Sequence, residues 1–141
     1  MTLNIEVAEM YLYEMANKWK NATGLPMNIW IDENQSYLQG RHSKRIKFQL
    51  DRSTKMNIHN SAPMGLGGEV KVELPKHIGL NPRDIDQLRN WVYNNKYALE
   101  LVADVKIPLD EIFPYMIKGG DLASEEAIAA LNAKVDELRI G

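Results

Sequence analysis

Cysteine is absent from the 141 residues, which excludes disulfides, thiolate metal sites and a cysteine nucleophile. No stretch reaches the roughly 18 consecutive apolar residues that a membrane-crossing helix needs. Glu6 and Glu9 interrupt the start of the chain, so it lacks the basic-then-apolar order of an export signal. These absences fit the reducing cytoplasm and no membrane partner. Histidine is scarce too. His42, His59 and His77 are widely spaced and form no HxH or HExxH pattern, so no metal site is expected. No serine stands in a GxSxG elbow. The glycines of Gly65-Leu66-Gly67-Gly68 precede a strand-like segment, whereas a phosphate cradle needs a helix start there. The loop therefore reads as a hairpin connection, and no cofactor is expected.

What is present is an ordinary globular balance, 45% hydrophobic and 26% charged, on a chain of one-domain length. We read residues 1–141 as a single α+β domain. Ile5, Ala8, Leu12, Met15 and Trp19 recur at helical spacing, which predicts a helix from Asn4 to Asn21, ended by Gly24 and Pro26. Residues 27–32 are β-branched and aromatic and predict a strand, followed by a loop over 33–40. Ile46, Phe48 and Leu50 alternate with polar residues and predict a half-buried strand over 45–51. A short pairing segment is expected near 55–58, a loop over 60–68, and a further alternating strand over 69–74.

The remainder reads as helical. Asn81-Pro82-Arg83-Asp84 is a helix start, and the stripe Ile85, Leu88, Val92, Leu99, Val102 runs on to Asp104, with or without a break at Asn94-Asn95. Pro108 and Pro114 frame a short helix. Ser124 caps the last one, whose stripe is Ile128, Leu131, Val135 and Leu138. The expectation is an antiparallel sheet of three to four strands, one helix before it and three after it, with the helices on one face. The last helix, 124–139, follows the hinge-like Gly119-Gly120 and either docks on its own domain or protrudes to form a homodimer seam, with the overall lean towards a homodimer.

Two constellations carry functional expectations. Glu69-Val70-Lys71, with Asp51 on the preceding strand, matches the acid-x-lysine pattern of Mg²⁺-dependent nucleases, where acids hold the metal and lysine serves the water. Chance alternation on an exposed strand produces the same pattern, so no catalytic residue is assigned and a non-enzyme is favoured. The stronger signal is the basic run Arg41, Lys44, Arg45, Lys47, Arg52 and Lys55 against Asp51 alone. It contrasts with Asp121, Glu125, Glu126, Asp136 and Glu137 at the other end. Arg41, Lys44, Arg45, Lys47 and Gln49 form the expected binding set, with Trp30 nearby as a stacking ring. The net charge of −2 speaks against nucleic acid and leaves an acidic protein or a small phosphate-bearing ligand as the partner.

The run Ser43-Lys44-Arg45-Ile46-Lys47-Phe48-Gln49, with Asp86-Gln87-Leu88-Arg89-Asn90-Trp91-Val92-Tyr93-Asn94-Asn95 downstream, resembles a group of small α+β proteins encoded in bacterial genomes, phages and mobile elements. The likeness spans about 27–113 and assigns no reaction. What it implies is a mobile-element setting, in which small proteins bind, inhibit or sequester a host component.

Overall fold

The computed structural model describes residues 15–18, 20–32 and 44–139. Its sheet is antiparallel and four-stranded in the order β1-β2-β3-β4: β1 Met15–Lys18, β2 Ile29–Asp32, β3 Arg45–Gln49 and β4 Ser61–Gly65. Among the described residues five helices accompany it: α1 Lys20–Thr23, α2 Pro82–Asn94, α3 Lys96–Ala103, α4 Leu109–Ile112 and α5 Glu125–Leu138. The α+β class and the antiparallel sheet match the reading of the sequence; the membership of the sheet does not.

Three segments differ. Within the span expected as a helix, Asn4 to Asn21, Met15–Lys18 is a strand and helix begins at Lys20, running to Thr23; residues 4–14 and 19 lie outside the described set. Pairing with β2, which has β3 on its other side, outweighs the local helical spacing. The loop expected over 60–68 contains β4. Pro63 is tolerated because β4 has only one strand neighbour, β3; its carbonyl accepts from Lys71 N at 3.2 Å. The strand expected over 69–74 contributes one bridge, Met64–Val70. Val70 and Leu74 pack on the core while Val72 is exposed, so alternation there records a segment lying along the core edge. Residues 55–58 do not pair as a strand; a 3-10 turn over Ile58–Asn60, capped by Asn57, leads into β4. The glycine loop is a hairpin turn as expected, with Gly68 at φ +89° and its N–H donating to Gly65 O.

α2 and α5 keep their expected starts. Asn81 Oδ1 accepts from Asp84 N, and Asp84 returns the bond to Asn81 N, satisfying two donors at the opening of α2. The chain breaks at Asn95, whose side chain is fully buried and bonds Trp91 O, Ile117 O and Ile117 N. Ser124 Oγ accepts from Ala127 N at the start of α5.

One sheet face, Ile29, Ile31, Ile46, Phe48, Ala62 and Met64, meets Leu88, Trp91, Val92, Leu99 and Val102 of α2 and α3 in a single core. Each large side chain buried there is worth about 1.5–3 kcal/mol. Leu131 and Val135 of α5 are buried in that same core, with Leu138 packed against it. The last helix therefore docks on its own chain through Leu131, Val135 and Leu138, while Ile128 stays only partly buried. Gly119 N donates to Thr23 O at 2.8 Å, and Gly24, at φ +74°, has no room for a Cβ beside Gly119 N.

Candidate anion-binding face

With the apolar side chains of β3 turned into the core, Arg45, Lys47 and Gln49 take its other face. The register sets Trp30 and Pro63 on either side of Lys47 and Gly65 beside Arg45. Continuing the β2–β3 register by one residue brings Asp32 across from Arg45. A side chain at 65 would collide with Glu69 Oε1 and Lys71 Cε, so Glu69 and Lys71 occupy the space above Gly65, next to Arg45. Sequence reading missed this gathering of Arg45, Lys47, Asp32, Glu69 and Lys71, because nothing in the chain announced which strand would lie beside β3.

The cations there are not loose. Lys71 and Glu69 form an ion pair at 2.8 Å, and hydrogen bonding from Lys71 holds the Glu69 carboxyl below its usual range. Arg45, Lys47, Asp32 and Lys71 each have a partner within the chain. Burial, and then the neighbouring Arg45 charge, push the Lys47 ammonium below the usual lysine range. Lys47 is thus a half-buried cation beside a like charge.

The remaining expected residues divide. Lys44 makes an ion pair with Asp104 at 2.6 Å, about one-third exposed on each side. Arg41 lies outside the described residues. Gln49 and Trp30 must be taken off the contact set. Gln49 is wholly buried: its amide donates to Asp51 and Lys55 O and accepts from Asn57 N and Asn28, folding residues 51–57 over the strand end. Trp30 is only 3% exposed, so no ring face is open for stacking.

Asp51 cannot serve the nuclease reading. Glu69 sits beside Gly65, opposite Arg45, whereas Asp51 lies past Gln49 at the other end of β3. Roughly 13 Å of strand separate those two ends, against the ~2.1 Å ligand distances of Mg²⁺. Asp51 instead accepts from Gln49, Ser53 N and Asn60, and these bonds, Gln49's first, hold its carboxyl below the usual range. Among the described residues no group of three His, Asp or Glu can hold a metal, and no helix is long and apolar enough to cross a membrane.

Family models, curated proteins and solved structures gave no match to the chain.

Proposed function

We propose that the protein acts by binding rather than catalysis, holding an anionic group on the face formed by Arg45 and Lys47. The observation that carries this is the half-buried Lys47 ammonium, depressed by burial and by Arg45 at its side. A carboxylate or phosphate arriving there offsets the Arg45 repulsion and favours the charged form of Lys47. Each charge-assisted contact contributes about 1.5–3 kcal/mol when shielded from water and far less when exposed. The partner is an acidic protein surface or a small phosphate-bearing molecule such as a signalling nucleotide. The mobile-element resemblance makes that partner a host component to be inhibited or sequestered.

The test compares wild type with the Arg45→Glu, Lys47→Glu double variant, both checked for native folding. Calorimetric titration with inorganic pyrophosphate and a nucleoside polyphosphate examines the small ligand, and immobilised protein with host lysate examines the acidic protein. Binding that the double variant loses supports the proposal and tells the two partners apart. Partners retained equally by both proteins overturn it. Plasmid cleavage with Mg²⁺ that disappears in Glu69→Ala would overturn the non-enzymatic reading.

A further inference from the structure

Away from the basic face, a groove of about 350 Å³ runs between α2–α3 and α5. One wall is Tyr93, Lys96, Tyr97 and Glu100, spaced three and four apart and so on one stripe that continues across the break at Asn95. The other is Ile128 and Asn132, one turn apart on α5. The Tyr97 hydroxyl donates to Asp136, one turn beyond Asn132, and closes that end. This bond, ahead of burial, raises the Tyr97 phenol above its usual range, so it stays neutral. Tyr93 is 63% exposed at the mouth, so its ring is open to a ligand.

The charges around the groove are unevenly answered. Asp136 has the Tyr97 hydroxyl, and Arg139 acts on that same end. Lys96 acts on Glu69. Lys134 of α5 lies 4.6 Å over the Tyr115 ring and pairs with Glu137. Among the described residues Glu100, half-buried in the groove wall, has neither a hydrogen bond nor an ion pair on its carboxylate. Two tyrosine rings, an unanswered carboxylate and an amide around a small cavity are the chemistry that recognises an organic cation, through ring faces and a single counter-charge. A small anion would meet Glu100 and the negative ring faces, with only the exposed Lys96, which also acts on Glu69, to hold it, and a purely apolar ligand would bury the carboxylate unpaired.

We infer that this groove is a binding site for an alkylammonium group, seated between Tyr93 and Tyr97 and countered by Glu100. It is independent of the Arg45–Lys47 face and takes a ligand of opposite sign. The group can come from a free small molecule or from a lysine side chain of a protein.

Side-chain NMR of the full chain tests it, following the Asn132 amide and the rings of Tyr93 and Tyr97 during titration with choline chloride, a trimethyl-lysine peptide and the unmodified lysine peptide, against sodium acetate. Saturable shifts with one or more of the cations and none with acetate are expected. Tyr93→Ala and Glu100→Gln, both at half-exposed or exposed positions and checked for native folding, should each weaken binding by about tenfold. Choline bound as well as the peptides marks a small-molecule source, and binding confined to the peptides marks a protein. Saturation by acetate, no saturation by any cation, or cation binding unchanged in both variants overturns the assignment.

Discussion

The helical half, from Asn81 onward, and the sheet half before it are held by different means. Each long helix brings its own start signal and an apolar stripe that reaches one shared core. The strands bring only alternation, and their ends are fixed by buried amides: Asn28 and Gln49 bind residues 53–57, and Asp51 and Asn60 close the same turn. Local sequence therefore decides the first half, and contacts between distant residues decide the second. The junction uses both, since Arg52 of the sheet half reaches Asp84 at the start of α2 through two hydrogen bonds.

The sharpest way to break this contrast is a charge in the helical core. Leu131→Asp places an unpaired carboxylate where Leu131 is 4% exposed, and should remove more than about 4 kcal/mol, leaving the chain unfolded by circular dichroism. A folded monomer instead would mean that α5 is dispensable, and a wild-type dimer dissociating to folded monomers would return its stripe to an interface between copies.

Next in size is Gln49→Leu, which nearly keeps volume yet strands Asn57 N–H and Lys55 C=O. A loss of about 3 kcal/mol in urea melts is expected, while Leu88→Met in the helical half should cost under about 1.5 kcal/mol. Equal costs would erase the distinction between the halves.

Acid sharpens the view of the junction. The Asp84 carboxyl is held below its usual range, first by the hydrogen bond from Arg52, and Asp51 is held down by Gln49. A folded-state value below the unfolded one contributes stability above the ordinary carboxylate range near pH 4 and loses it as pH falls through the depressed values. Stability should thus drop below about pH 4, and less steeply in Asp84→Asn, although that variant is weaker at neutral pH. An unchanged slope removes Asp84 from the acid transition. The smallest effect belongs to Glu69→Ala, whose exposed ion pair with Lys71 should be worth under about 1 kcal/mol in the same melts.

The same contrast explains what could be read from the chain. Asn81, Pro82, Asp84 and Ser124 act within four residues of themselves, so their helix starts were legible. Arg45, Ile46, Lys47 and Phe48 sort correctly to two faces because period two is also local. The partner of β3 was not legible: Ser61–Gly65 contains proline and glycine, and only pairing with Arg45–Gln49 makes it a strand. Gln49 failed as a contact residue for the same reason, since its cover comes from a turn whose path no local pattern states. The Tyr93–Glu100 stripe was not read from the chain, and its facing wall, Ile128 and Asn132, is set by how α5 docks.

The bond between Thr23 and Gly119 joins positions separated by most of the chain. On a ribosome making about 5–20 residues per second, Thr23 emerges roughly 5–20 s before Gly119 exists. For that interval the Thr23 carbonyl at the end of α1 lacks its donor, and β1 and β2 await both β4 and the helical cover. Nascent chains halted before Gly119 should therefore expose the sheet to chaperones, and emergence of residues 119–138 should end that exposure in one step.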